Sequence, residues 1–159
     1  MGSLNTPFRS FPKPIRARST KKRYKIPPRK DNASTGLKSQ LKTMWGYDTQ
    51  PKMFDALWDK ALKEGKGEII CPFTKHKLRH YENTTFWYNC FAHVLPKGQY
   101  TYWKLNPNNI RIVYPLFHSI VDNGAMYQRE TYKTWDWDAW DRLTEELEKE
   151  YELWVKKYT

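Results

Sequence analysis

The order of turn signals across residues 85–124 constrains this chain more than any other feature. The stretch TFWYNCFAHVL, residues 85–95, is aromatic and β-favouring and reads as a strand. It stops at Pro96-Lys97-Gly98, and residues 96–108, PKGQYTYWKLNPN, carry the Pro, Gly and Asn of a loop. Residues 109–114, NIRIVY, alternate Ile110, Ile112 and Tyr114 with Arg111 and Val113, so they read as the return strand. Pro115 suits the first turn of a short helix over LFHSIVDNG, which Asn123-Gly124 can end. The expected order is strand, long loop, strand, short helix. Three polar residues mark it. His93 stands near the end of the first apolar run, Asn109 opens the second, and His118 sits in the helix.

The flanks add helices. Residues 49–64 predict one, with Thr49 as cap, Pro51 in the first turn, Gly65 at the end, and Met53, Phe54, Leu57, Ala61 and Leu62 on one face. EIICPFT begins with β-branched residues and is a short strand candidate. From about 135 to 158, Trp137, Trp140, Leu143, Leu147, Tyr151, Trp154, Val155 and Tyr158 recur at helical spacing opposite an acidic face. Asp136, Asp138 and Asp141 lie near the start of that helix. Pairing with its dipole explains them better than a metal site does. The fold class is therefore α+β.

Composition bounds the function. With 159 residues and 39% apolar content, the chain suits one domain with an appendage. No apolar run approaches the length of a membrane span. The basic start lacks the apolar stretch of a secretory signal, and its prolines break the amphipathic helix of a transit peptide. Cys71 and Cys90 are too few for a disulfide framework, which favours a reducing, intracellular setting. Cys71, His76, His80 and Cys90 do not have a familiar zinc spacing, so structural zinc is not expected.

The formal charge is +11, and its excess lies at one end. Residues 1–43 hold twelve Lys/Arg against the single acid Asp31, whereas residues 44–159 hold sixteen of each sign. This Pro-containing segment has too little apolar surface to fold alone, and is expected to be an extended arm, disordered when free. Arg16, Arg18, Lys21, Lys22, Arg23, Lys25, Arg29 and Lys30 suit a polyanion, most simply a nucleic-acid backbone. A solubilising tail, a nuclear-address-like run or an acidic protein partner for the arm are the alternatives.

FAHVLPKG followed by NPNNIRIVYPLFHSIVDNG resembles the HNH endonuclease motif on a ββα-metal fold, and the upstream CPFTKHKL resembles the turn that often precedes its hairpin. The resemblance covers roughly residues 69–124, with 44–159 as the whole HNH-like domain and 1–43 as the arm. It implies a small ββα core with flanking helices. His93 would be the general base, Asn109 would orient it, and His118 would bind a divalent metal ion. Asp122, four residues further along the same helix face, would supply a second ligand suited to Mg²⁺ or Mn²⁺. Lys97 would contact the scissile phosphate.

What the resemblance implies is metal-dependent hydrolysis of DNA, with RNA also open as substrate. Compact members with such a leader look most like phage or prophage products, which implies a bacterial cytoplasm or a virion. One position departs from the pattern. Many members carry an acidic metal ligand just before the first His, where this chain has Ala92. The alternative is therefore a catalytically inactive nucleic-acid-binding or phage assembly protein on the same scaffold. In that case Tyr100, Tyr102, Trp103 and Lys104 would stack on single strands or pack under the loop.

Overall fold

The structure, a computed structural model, describes residues 36–80 and 86–158. Helix α1 spans Leu37–Trp45 and α2 spans Gln50–Glu64. Strand β1, Ile69–Ile70, pairs with β2, Lys77–Leu78; strand β3, Phe91–His93, pairs with β4, Ile110–Ile112. Both pairs are antiparallel. Helices α3, Pro115–Asn123, α4, Met126–Thr131, and α5, Trp137–Tyr158, complete the chain. This is a mixed fold of helices and two small sheets, in line with the α+β expectation.

Helix α1 moves the expected boundary of the arm. Residues 37–43, assigned to the arm from charge, form most of this helix, and Leu41 is fully buried. The basic arm residues from Arg16 to Lys30 lie outside the described residues. Helix α2 buries Met53, Phe54 and Trp58, while Leu57, Ala61 and Leu62 pack at the edge of the core. Thr49 holds the N-cap position with an extended backbone, but its side chain makes no capping hydrogen bond. At the other end Gly65 is required by space. A Cβ there would stand 1.8 Å from the carbonyl oxygen of Glu68.

The first sheet is a tight knuckle. The Cys71 N–H donates to the His76 carbonyl at 2.9 Å, the Lys75 N–H to the Cys71 carbonyl at 2.9 Å, and Lys75 adopts φ 64°. The His76 ring stacks on Tyr114 and the His80 ring lies against Trp87, so each is engaged with an aromatic neighbour. The two thiols are free and buried, and burial pushes that of Cys90 up to about 11, with Cys71 adding to the rise.

The second sheet pairs Phe91 with Ile112, Ala92 with Arg111 and His93 with Ile110. Its first strand is shorter than the expected 85–95. Residues Phe86–Cys90 form a 3₁₀ turn that buries Trp87 and Cys90. Aromatic residues favour strands because they pack well on a pleated surface. Here Trp87 packs instead against Trp58, His80 and Phe91 at ring separations of 5.5, 4.5 and 5.2 Å, which the tighter turn permits. The long loop holds two further 3₁₀ turns, Thr101–Trp103 and Pro107–Asn109.

Helix α3 forms as expected, with Pro115 in its first turn and Gly124 at φ 61° ending it. It buries Phe117 and Ile120. Phe117 stacks on Phe73 at 5.1 Å and on Trp137 at 4.5 Å, tying the knuckle, α3 and α5 into one core. Helix α5 begins two residues later than the expected start at about 135. Asp136 accepts from the Ala139 N–H at 3.0 Å and so caps it. Its Tyr151 and Trp154 pack on the loop at Tyr100, Tyr102 and Trp103. The loop aromatics are therefore packed beneath α5. Among the described residues no helix is long and apolar enough to cross a membrane.

Candidate functional site

Asn109 is the most buried polar residue of the site, with no solvent exposure. Its Oδ1 accepts from the Leu95 N–H at 2.7 Å, and its Nδ2 donates to the Leu95 carbonyl at 3.0 Å. The same Nδ2 donates to the Trp103 carbonyl at 3.4 Å, and the Val94 N–H donates to the Asn109 main-chain carbonyl at 2.9 Å. A buried amide that satisfies this many backbone groups closes the loop behind β3 and holds its exit direction. An asparagine is needed because it offers acceptor and donor on one short stem.

His93 ends β3 directly before that clamp. Its Nε2 lies 3.1 Å from the Lys104 carbonyl and 3.1 Å from the side-chain nitrogen of Gln50, the first residue of α2. The ring edge also meets Phe54. Burial holds the imidazolium form of His93 below its ordinary range. Lys97 and His118 push the same way, against the Lys104 carbonyl and Asp122, which favour the charged ring. The ring is thus biased to the neutral form that can take a proton.

His118, on α3, is oriented by a second main-chain carbonyl. Its Nδ1 donates to Asn89 at 2.8 Å, which turns Nε2 toward Asp122 Oδ2 at 3.1 Å. Burial pulls His118 down, yet the Asp122 carboxylate and the Asn89 carbonyl outweigh it, and the net shift is upward. Asp122 is held below the usual carboxylate range, chiefly by its hydrogen bond to His118, with His93 and Lys97 contributing. Lys97 is exposed, and its charge reaches all three groups.

His118 and Asp122 are placed side by side on α3, where both could face one divalent ion. Two ligands at about 2.1 Å in adjacent positions of an octahedron stand about 3 Å apart. The Nε2–Oδ2 separation of 3.1 Å agrees with that edge, and the Asn89 carbonyl fixes the ring as an outer partner of a metal-bound imidazole would. The pair could fill two adjacent positions of six, once His118 gives up the Nε2 proton that it shares with Asp122. Among the described residues no group of three or more His, Cys, Asp or Glu could hold an ion. Ala92 is fully buried and brings no oxygen.

Beside His93 opens a cleft of about 480 Å³ whose lining includes Asp122, Gln99, Tyr100, Arg129 and Asp141. Arg129 of α4 grips Asp141 of α5 through two bonds of 2.8 and 3.0 Å and lies 4.8 Å from the centre of the Trp137 ring. Asp141 therefore serves as an ion-pair partner within the cleft wall, and Asp136 as a helix cap.

The structure thus gathers His93, His118, Asp122 and Lys97 into one electrostatic neighbourhood, with Asn109 behind them. Sequence reasoning missed Gln50, Arg129 and the carbonyls of Lys104 and Asn89. The carbonyls leave no trace in side-chain identity, and Gln50 reads only as a helix-start residue. No protein-family model matches the chain, and no curated protein or solved structure matches it.

Proposed function

We propose that this protein is a metal-dependent endonuclease of the HNH type that hydrolyses phosphodiester bonds of DNA. The observation that carries this reading is the matched orientation of two histidines by main-chain carbonyls. His93 is held through Nε2 to the Lys104 carbonyl and His118 through Nδ1 to the Asn89 carbonyl.

In this reading His93, neutral and rigid at the strand end, accepts through Nδ1 the proton of an attacking water. The water oxygen bonds to phosphorus, and the bond to the 3′ oxygen breaks with its electron pair going to that oxygen. The departing oxygen then takes up a proton from solvent. Lys97 steadies the non-bridging phosphate oxygens. His118 and Asp122 would hold a divalent ion, Mg²⁺ or Mn²⁺, which supplies positive charge to the phosphate and the departing oxygen. The basic arm would hold the backbone without reading sequence.

A second reading has its own support. Among the described residues no third ligand joins the His118–Asp122 pair, and position 92, where the resemblance would place an acidic one, is alanine. In that reading the same scaffold binds nucleic acid, or assembles with it, without cutting. Plasmid nicking in Mg²⁺, Mn²⁺ or EDTA, run beside His93→Ala, separates the two. Cutting that needs the ion and vanishes in the variant, with DNA binding retained, supports the nuclease. Absence of cutting with either ion, or cutting indifferent to His93→Ala, overturns it.

A further inference from the structure

The cleft beside His93 is acidic. Asp122, Asp141 and Glu148 line it, and the cation among its walls, Arg129, already holds both oxygens of Asp141 and lies over the Trp137 ring. Among the described residues that line it there is no lysine. A phosphate entering this space would face the Glu148 and Asp122 carboxylates without a free guanidinium or ammonium to offset them. The remaining walls suit a flat, neutral group instead. Val94 and Trp140 are buried and Val121 is half-buried, so one side is apolar. The volume of about 480 Å³ is that of a small-molecule site, and such sites pair apolar walls with a few polar groups. Two polar side chains are open to a ligand. The Gln99 amide is half-buried and has no hydrogen-bond partner among the described residues; only its main-chain N–H is engaged, at Pro96. Glu148 accepts the Tyr100 hydroxyl on one oxygen at 3.3 Å and leaves the other oxygen open.

We propose that this cleft receives one unpaired nucleobase, next to the phosphate presented to His93, and that Gln99 and Glu148 favour a base with an exocyclic amino group. The chemistry of the two side chains sets that preference. A glutamine amide offers a donor and an acceptor side by side, the pattern that pairs with adenine N6 and N7. A carboxylate accepts from an exocyclic amino group but repels a carbonyl oxygen. Thymine presents two carbonyl oxygens about a single N–H and is therefore disfavoured. A base paired within a duplex cannot enter without losing its stacking and pairing, so the preferred substrate already carries an unpaired base. The cleft is formed in advance. Its far wall is tied by the Arg129–Asp141 pair, and Tyr100 is braced edge-on by Tyr151 at a ring separation of 4.8 Å. The placement of the phosphate rests on the nuclease reading above, whereas the recognition of the base stands on the cleft itself.

The test is fluorescence anisotropy of the full chain in EDTA with four labelled DNA duplexes of one sequence. One is fully paired, and the others carry a single extra adenosine, thymidine or abasic residue in one strand. The abasic duplex bends as the others do but has no base to offer, so it separates recognition of the base from bendability. Wild type is expected to bind the adenosine duplex about ten-fold more tightly than the thymidine or abasic one. Thr144→Trp, which adds bulk to the cleft wall from α5, should bring the adenosine duplex to the abasic level and leave the paired duplex unchanged. Glu148→Gln is a milder surface change. It should narrow the gap between adenosine and thymidine, because an amide can donate to a thymine carbonyl. Equal affinity of wild type for the three bulged duplexes would overturn the proposal. So would an adenosine preference that survives Glu148→Gln and Gln99→Leu unaltered, and this arm decides the matter even if Thr144→Trp fails to fold. Neither result depends on cutting. A protein that shows the preference but nicks no DNA in Mg²⁺ or Mn²⁺ keeps the base cleft and loses the nuclease reading. One that nicks without the preference does the reverse.

Discussion

Asn109 and Leu95 exchange two hydrogen bonds across the closed end of the β3–β4 loop, one in each direction, at 2.7 and 3.0 Å. This is the bond pattern of a strand pair, made by a side chain in place of a backbone. It lets the chain leave β3 at a fixed angle after only three paired residues.

Replacement of Asn109 by Ala leaves the Leu95 N–H and C=O without partners in a buried place. The cost is expected to be about 3 kcal/mol. Chemical denaturation should show a lower midpoint with an unchanged slope, since the surface exposed on unfolding is the same. Asn109→Asp should be no better. It keeps the acceptor for Leu95 N–H but sets a carboxylate oxygen against the Leu95 and Trp103 carbonyls.

If the protein cuts DNA as proposed, the downward shift of His93 sets the pH dependence of that reaction. In that reading the active form is neutral, so a lowered titration point keeps the base available at lower pH. The acid limb of the nicking profile is expected below about pH 6.5, the ordinary imidazole value. Lys97 contributes to that lowering. Lys97→Ala should therefore move the acid limb upward, and at saturating DNA this shift separates the effect on the base from any loss of binding.

The His118–Asp122 pair predicts a stability signature with a definite sign. His118 is raised, so its contribution is complete below about pH 6.5 and fades as pH climbs through the raised value. Asp122 is lowered, so its share is present above about pH 3.8 and fades as pH falls through the lowered value. In EDTA, the melting-temperature difference between wild type and Asp122→Asn should peak between those limits and shrink toward pH 9. Asp122 is 64% exposed, and solvent screening keeps the effect below about 1 kcal/mol. With Mn²⁺ present, wild type should gain stability and the Asn variant should gain less.

Leu41 tests whether the fold begins where charge alone places it. Leu41→Ala should cost about 3 kcal/mol, because the side chain is fully buried on α1. A change near zero would return residues 37–43 to the arm.

Much of the hairpin and its helix was legible in the sequence because each boundary there has its own local cause. Pro115 and Gly124 delimit α3 by backbone restriction, and the alternation of Ile110 with Ile112 marks β4. Helix α2 was legible for the same reason, through its apolar period. The 3₁₀ turn at Phe86–Cys90 was not, because its shape is set by distant rings, Trp58 and His80, which no local window contains. Helix α1 was hidden by a different effect. Leu37, Leu41 and Trp45 do recur every four residues, but they stand beside a basic run whose composition dominates the reading. Of the candidate site, the side chains His93, Asn109, His118 and Asp122 were visible as letters. Their orienting partners were not, since a carbonyl belongs to every residue alike.

That last asymmetry has a consequence for how such a site can change over time. The Lys104 and Asn89 carbonyls hold the two rings whatever side chains stand at positions 104 and 89. Mutation at either place can therefore be freely sampled without loosening a histidine, so long as the local backbone path survives. The heritable description of the site shrinks to a handful of letters spread over the chain, while its geometry is stored in the course of the main chain. A protein built this way can drift far in sequence and keep the same arrangement of rings.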